Sequence, residues 1–148
     1  MVIPVAPESS SCAQRQQIAH SSINDSTAPT RRILVADDNA GVAECLAMLL
    51  RLLDHEVMTA CSGRGALAAA ATFLPQIIFL DIAMPEMDGY EVAKRLREMP
   101  KLSGTILIAL TGWGGEQDIR RAKEAGFDRH FLKPVEVTAI QELLAQLP

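Results

Sequence analysis

The chain has 148 residues and a formal net charge of −4, which argues against a protein that binds nucleic acid directly through clustered positive charge. Hydrophobic residues make up 49% of the chain and charged residues 22%, a composition typical of globular proteins rather than disordered ones. No apolar run approaches the roughly 20 residues of a membrane span, and the first residues lack the pattern of a secretory signal, so we expect a cytoplasmic protein without membrane contact.

Residues 1–29 differ in composition from the rest of the chain. They are rich in Ser, Gln, Pro and Ala, and they show no sustained apolar period of a strand or a helix. Such a segment cannot bury enough apolar surface to offset the entropy lost on ordering it. We therefore predict a flexible N-terminal tail or linker over residues 1–29 and a folded domain over residues 30–148.

Short apolar runs alternate with helical patterns from residue 31 onward. Strands are predicted over residues 33–36, 56–60, 77–80, 105–110 and 127–132, and helices over residues 40–53, 66–73, 89–99, 116–125 and 135–147. Ser62 is predicted to cap the second helix at its N-terminus, and Gly126 to end the fourth. Five strand–helix units in this order predict an α/β fold with a doubly wound parallel sheet. Strands that are apolar on both sides agree with a sheet covered by helices on both faces.

The chain contains three cysteines, at positions 12, 45 and 61. An odd number without metal-ligand spacing favours reduced thiols. Because Cys45 and Cys61 lie in apolar stretches, we predict that both are small residues of the core.

Polar residues follow four of the five predicted strands. Asp37 and Asp38 follow the first strand, Asp81 the third, Thr111 the fourth and Lys133 the fifth. The carboxyl ends of parallel strands meet at one edge of the sheet, where ligands bind in such folds. Three carboxylates, a hydroxyl and an ammonium group are therefore expected to converge on one cleft. The alternative is that Asp37, Asp38 and Asn39 only cap the helix that follows the first strand.

The charges of this cluster indicate a divalent cation. Two carboxylates about 4 Å apart repel each other by roughly 4 kcal/mol at an effective dielectric constant of about 20. Oxygen ligands suit Mg²⁺, which commonly binds carboxylates, waters and a phosphate, and the ammonium group of Lys133 suits a phosphoryl oxygen. The residues predict Mg²⁺-assisted phosphoryl transfer, with one carboxylate as the candidate nucleophile.

Four motifs in this order resemble the receiver domain of two-component response regulators. They are Ala-Asp-Asp-Asn at 36–39, Asp-Ile-Ala-Met-Pro-Glu-Met-Asp-Gly-Tyr-Glu at 81–91, Leu-Thr-Gly at 110–112 and Lys-Pro at 133–134. Each motif alone is weak evidence, but all four stand at the end of a predicted strand. The resemblance covers about residues 31–147 and implies a flavodoxin-like sheet of five strands in the order 2-1-3-4-5 with five helices.

The resemblance also implies a role for most residues of the cluster. Asp81 would be the phosphoacceptor, and Asp38, Asp81 and the backbone carbonyl of Ala83 would bind Mg²⁺. Asp37 would bind the ion directly or through a metal-bound water. Lys133 would pair with the phosphoryl group. In this family the peptide bond between this lysine and the following proline is typically cis. A glycine at position 89 would give the loop after the acceptor its backbone freedom.

Three further residues are candidates for switching and for protection of the phosphoryl group. Thr111 would move toward the phosphoryl group and report its arrival. The family usually has Tyr or Phe three residues before Lys133, but this chain has His130, which can become charged near neutral pH. Signal output could then vary with pH, although an exposed histidine without a signalling role is as plausible. Trp113 would partly screen the acyl phosphate from water, unless it only covers the surface.

The function implied by the resemblance is phosphorelay signal transduction. Asp81 would receive a phosphoryl group from a histidine kinase or a histidine phosphotransfer protein, and the domain would catalyse only its own phosphorylation and dephosphorylation. Phosphorylation would switch partner binding or form a homodimer through the face of the fourth and fifth strand–helix units. The chain would be a stand-alone receiver or the receiver of a hybrid histidine kinase.

Two alternative functions belong to other classes. A binding module with a receiver fold could act without phosphorylation, although such modules tend to lose an acid or the lysine, and this chain has them all. A Mg²⁺-dependent aspartyl phosphohydrolase would need a second acid two residues after its nucleophile, where this chain has Ala83.

Overall fold

The computed structural model describes residues 30–112 and 114–147. Residues Thr30–Ile140 form one compact unit, which contains the whole sheet. The residues from Gln141 onward belong to a separate unit, and their described part is the C-terminal portion of the last helix. The tail predicted over residues 1–29 lies outside the described residues.

Five parallel strands form a single sheet in the order β2-β1-β3-β4-β5. They are β1 (Arg32–Ala36), β2 (Glu56–Ala60), β3 (Ile77–Asp81), β4 (Ile106–Thr111) and β5 (Arg129–Leu132). This confirms the doubly wound sheet and its strand order. The strand order reverses between β1 and β3. The crevice that binds ligands in such sheets therefore lies beyond the carboxyl ends of these two strands.

Five helices connect or follow the strands, and their bounds depart from the sequence prediction by one or two residues at four ends, which are the end of α1, the end of α3 and both ends of α5. They are α1 (Ala40–Leu52), α2 (Gly63–Phe73), α3 (Gly89–Arg97), α4 (Glu116–Ala125) and α5 (Val137–Gln146), and a short 3-10 helix covers Pro100–Leu102. Helix α2 begins directly after Ser62, which caps it as predicted by accepting from the Gly65 N–H. Helix α3 ends two residues before the predicted end, and α5 begins two residues after the predicted start. None of the described helices is long and apolar enough to cross a membrane.

The central strand β3 is buried along its whole length. On one face of the sheet, Leu34, Ile78 and Leu107 pack in a cluster with apolar residues of α2 and α3. Each large apolar side chain that leaves water in this way contributes roughly 1.5–3 kcal/mol. The packed sheet therefore gives the residues at its strand ends a rigid base.

The prediction that Cys45 and Cys61 belong to the core was wrong. Both thiols are exposed. Cys45 lies on α1, whose buried residues are Ala43, Ala47 and Leu50, so the thiol points away from the sheet-facing side.

Candidate functional site

Three carboxylates from two neighbouring strands form an acidic cluster at the carboxyl edge of the sheet. Asp81 is the last residue of β3, and Asp37 and Asp38 directly follow β1. Ala36 of β1 is paired in register with Leu80 of β3, so the residues that follow them are neighbours. Each acid offers one oxygen within 4.8 Å of those of the other two. Asp37 and Asp81 are buried, whereas Asp38 is exposed.

Lys133 brings a positive charge to this acidic cluster. Its Nζ donates to Asp37 Oδ2 at 2.8 Å and lies 3.0 Å from Asp81 Oδ1. Strand β5 delivers the lysine, since the Lys133 N–H donates to the Thr111 carbonyl at the end of β4 at 2.8 Å. The peptide bond between Lys133 and Pro134 is cis.

Asn39, rather than one of the acids, caps α1 at its N-terminus. Its side-chain Oδ1 accepts from the Val42 N–H at 3.1 Å, which makes Asn39 the N-cap of the helix. Its own N–H donates to Asp37 Oδ1 at 2.9 Å. Asp37 is therefore held through one oxygen by this backbone amide and through the other by Lys133. The role of Asn39 in orienting Asp37 was not predicted, although its position after two acids and before a helix was a signal for it.

The electrostatic environment shifts two pKa values in the cluster. Burial raises the pKa of Asp81, and the neighbouring Asp37 raises it further, against the lowering effect of the Lys133 hydrogen bond. Burial lowers the pKa of Lys133, but its hydrogen bonds to Asp37 and Asp81 outweigh burial, so the net pKa is raised. The lysine therefore stays charged at neutral pH, and the negative charge of Asp81 is disfavoured in the folded state.

The loop after β3 wraps closely around the backbone of Asp81. The Ala83 N–H donates to Asp81 Oδ1 at 3.2 Å, and the Gly89 N–H donates to the Ile82 carbonyl at 2.9 Å. A Cβ on Gly89 would lie 2.6 Å from the Asp81 carbonyl oxygen. The loop residue with positive φ is Glu86, at 68°. The reason for glycine at position 89 is thus close packing, and the prediction that it supplies backbone freedom was wrong.

The donor set of the acidic cluster fits a divalent cation. Three carboxylates and one ammonium group sum to a charge of about −2 when all are ionised, which one dication would neutralise. Ligands of an octahedral Mg²⁺ lie about 3 to 4.2 Å apart, given metal–oxygen distances of about 2.1 Å. Oxygens within 4.8 Å of one another therefore need only small side-chain rotations, or one intervening water, to share an ion.

Comparison with known proteins decides the family. The family model described as the response regulator receiver domain matches residues 33–145. The chain belongs to the response regulator receiver domain family. The chemotaxis protein CheY4 of Vibrio cholerae is 26% identical and superposes with a TM-score of 0.77, covering 81% of this chain and all of CheY4 (100%).

Two further relatives show the contexts in which such receiver domains occur. The receiver domain of the sensor histidine kinase PA1611 from Pseudomonas aeruginosa, whose structure has a magnesium ion coordinated in the active site cleft, is 25% identical. Its TM-score is 0.72, over 78% of this chain and 95% of that one. The DNA-binding dual master transcriptional regulator RpaA of Synechocystis sp. is 30% identical over 116 residues, which are 78% of this chain. The chain spans only 47% of the length of RpaA.

The receiver domain functions in phosphorelay signal transduction, as the sequence resemblance implied. Receiver domains are signalling domains rather than conventional enzymes, and they interact with histidine kinases or histidine phosphotransfer proteins. The comparisons do not favour a phosphorylation-independent binding module or an aspartyl phosphohydrolase.

The candidate switch residues lie on β4 and β5, the two strands between β3 and one edge of the sheet. Thr111 is buried at the end of β4, where its carbonyl accepts from the Lys133 N–H. His130 is half-buried on β5, in register with Ala109, and lines a cavity of about 200 Å³ together with Ile119 of α4. The receiver thus connects Thr111 to the acidic cluster through the backbone, and it places His130 against α4. Trp113 lies outside the described residues.

Proposed function

We propose that Asp81 is the phosphoacceptor of this receiver and that Asp38, Asp81 and the Ala83 carbonyl hold the Mg²⁺ that the reaction needs. Asp37 binds the ion directly or through a metal-bound water. The observation that carries the proposal is that Asp37, Asp81 and Lys133 meet within 3.0 Å contacts although they come from three different strand ends. The magnesium in the PA1611 receiver domain supports the choice of ion.

The proposed reaction moves a phosphoryl group from a phosphohistidine to the Asp81 carboxylate. A P–O bond forms to Asp81 while the P–N bond of the donor breaks, and the imidazole nitrogen keeps the bonding electron pair. Lys133 and the Ala83 N–H both contact Asp81 Oδ1, which leaves Oδ2 as the nucleophilic oxygen. Bound Mg²⁺ would neutralise charge on the phosphoryl oxygens, and Lys133 would orient them. The domain catalyses its own phosphorylation and dephosphorylation only.

An apolar groove beside the acidic cluster supports a protein donor. The groove has a volume of about 640 Å³ and runs from Asn39 and Lys133 along α1, where Val42, Leu46 and Leu49 line it. Val42 is exposed. A kinase or phosphotransfer protein that reaches Asp81 must cover the rim formed by Asn39 and Lys133. We expect its apolar residues to enter this groove, since burial of apolar surface stabilises such contacts.

Phosphorylation would then change the output surface. Thr111 would move toward the phosphoryl oxygens, and His130 would either follow it or remain without a signalling role. The proposed result is altered partner binding or a homodimer through the face formed by β4, α4, β5 and α5. That this chain itself does not bind nucleic acid stays a prediction, and so does the boundary between residues 1–29 and the domain.

Labelling with acetyl phosphate tests the acceptor. The wild-type chain should gain an alkali-labile phosphoryl group in the presence of Mg²⁺, and Asp81→Asn should abolish labelling. Asp88→Asn is the matched control, because Asp88 caps α3 from an exposed position and Asn is an equally good cap. Equal labelling of Asp81→Asn would contradict the proposal, and steady turnover of p-nitrophenyl phosphate would favour the phosphohydrolase.

A second comparison tests the protein donor. Val42→Asp should slow phosphotransfer from a phosphorylated histidine phosphotransfer protein without slowing labelling by acetyl phosphate, because the small donor does not need the groove. Glu44→Asp is the control on the same helix, since Glu44 is exposed and does not line the groove. If Val42→Asp slows phosphoryl transfer from the protein donor and from acetyl phosphate by the same factor, the groove is not the docking surface.

A further inference from the structure

Helix α4 is held to the rest of the domain by little apolar surface. Its buried residues are Ala122 and Ala125, which are small. Gly115 stands at its N-cap position without a side-chain hydrogen bond, and Gly112 and Gly114 precede it. A helix with few buried apolar contacts and a glycine-rich entry lies at the low end of local stability. Individual polar contacts to α4 therefore contribute strongly to holding the helix in place.

The C-terminal end of α4 is fixed by Arg97 of α3. The Arg97 guanidinium donates to the Gly126 carbonyl from two nitrogens, at 2.9 and 2.8 Å. It also donates to the Thr105 carbonyl at 2.7 Å and pairs with Asp128 Oδ2 at 2.8 Å. Gly126 ends the helix with φ of 109°. Since these charge-assisted hydrogen bonds join the C-cap of α4 to α3 and to the residue before β4, this end is the firm one.

A second contact holds the middle of α4 to the start of α3. The guanidinium carbon of Arg121 lies 4.1 Å from the ring centroid of Tyr90, which is within cation–π range. Tyr90 is only 8% exposed and directly follows Gly89, whose backbone packs against the Asp81 carbonyl. The contact therefore connects α4 to the end of the loop that follows the acceptor. At an exposed arginine it favours the contacted arrangement by between about twofold and fivefold.

We propose that the Tyr90–Arg121 contact holds α4 in the resting arrangement and is released when Asp81 is phosphorylated, while Arg97 keeps the C-terminal end in place. This inference rests on the proposed function of Asp81. Thr111 lies at the end of β4, and along the chain it leads into α4 through residues that include Gly112, Gly114 and Gly115. A displacement of Thr111 toward the acceptor reaches the weakly held N-terminal end of α4 first. The released arrangement is then the one that the phosphoryl group selects.

The chain contains one tyrosine, so 3-fluorotyrosine gives a single ¹⁹F resonance that reports on Tyr90. The full chain is titrated with beryllofluoride, a phosphoryl analogue, at saturating Mg²⁺. We compare Arg121→Gln with Arg120→Gln, which removes the same charge from the neighbouring exposed residue. In the wild type the resonance should move on saturation. Arg121→Gln should displace the resonance toward that position before any beryllofluoride is added, and Arg120→Gln should not.

The same titration gives the size of the effect. Removing a contact that exists only in the resting arrangement should lower the half-saturating beryllofluoride concentration by between about twofold and fivefold relative to Arg120→Gln. If the two variants saturate at the same concentration, or if Tyr90 does not respond although acetyl phosphate labels Asp81, the inference is wrong and the proposed function stands. If neither reagent modifies the wild-type chain, both are wrong.

Discussion

Replacing Lys133 with Met removes the positive charge that lies between two buried carboxylates. The side chains of Asp37 and Asp81 are only 2% and 5% exposed, and Lys133 Nζ contacts them at 2.8 and 3.0 Å. Without the ammonium group, two carboxylates with oxygens within 4.8 Å of each other repel by about 3.5 kcal/mol at an effective dielectric constant of about 20. Removing one partner of a buried ion pair commonly costs about 3–5 kcal/mol. We therefore expect Lys133→Met to lower the free energy of unfolding by about 3–4 kcal/mol near neutral pH.

The pH dependence separates this repulsion from a simple loss of packing. In the variant, the pKa of Asp81 rises further, because burial and Asp37 already raise it and the lysine no longer opposes them. A carboxyl group with a raised pKa destabilises the fold when it is ionised, so the deficit is largest at neutral pH and shrinks as the pH falls through the folded pKa. Mg²⁺ should also restore stability.

Urea denaturation of wild type, Lys133→Met and Lys101→Met, with and without Mg²⁺, measures these effects. Lys101 is an exposed residue of the 3-10 helix, so its variant controls for the loss of one positive charge. The reasoning is refuted if Lys133→Met costs no more than Lys101→Met, or if its deficit is the same at pH values around 5 and 7.5.

Three further variants test the close packing and the charges of the domain. Gly89→Ala would place a Cβ 2.6 Å from the Asp81 carbonyl oxygen, so we expect a loss of about 1–3 kcal/mol in urea denaturation and slower acetyl phosphate labelling, and labelling at the wild-type rate would contradict the positioning role. Asp81→Asn should raise the free energy of unfolding at neutral pH, because the raised pKa of Asp81 means that its ionisation costs stability, and the gain should vanish as the pH falls below about 3.8. Burial and then Arg31 lower the pKa of His55, whose Nδ1 accepts from the Arg31 N–H at 3.1 Å. Its contribution to stability is therefore present above about pH 6.5 and is lost as the pH falls through the folded pKa. The difference in the free energy of unfolding between wild type and His55→Asn should shrink on acidification, and a constant difference would contradict the lowered pKa.

The local signals of the sequence were sufficient where a single residue type decides an element. Ser62 caps α2 and Gly126 ends α4 as the sequence predicts, because capping depends on one side-chain oxygen or on one positive φ. The end of α3 was predicted too late. A proline at position 100 restricts its predecessor, and the helix stops at Arg97, with Glu98 as its cap.

Long-range contacts could be predicted only in part. The order of the motifs brought Asp37, Asp81 and Lys133 to one edge of the sheet, but it did not show which oxygens Lys133 would contact across 96 residues. Tyr90 and Arg121 carry no local signal for each other, since each pattern by itself indicates only a helix. Such contacts depend on how two helices lie against one sheet, which periodicity along the chain does not contain.

The charge balance of the cluster connects its chemistry to the strands beside it. In the proposed reaction, the single charge of the Asp81 carboxylate is replaced by up to about two charges on the acyl phosphate. The phosphoryl oxygens would then compete with Asp37 for the Lys133 ammonium group, which in the resting site contacts both acids. The Lys133 backbone also donates to the Thr111 carbonyl. A shift of the lysine toward the phosphoryl group therefore acts on the end of β4 and on the glycine-rich entry to α4. The ion pairs of Lys133 that stabilise the resting site are thus the contacts that the phosphoryl charge would rearrange. This rearrangement would act on α4, the helix that is weakly held.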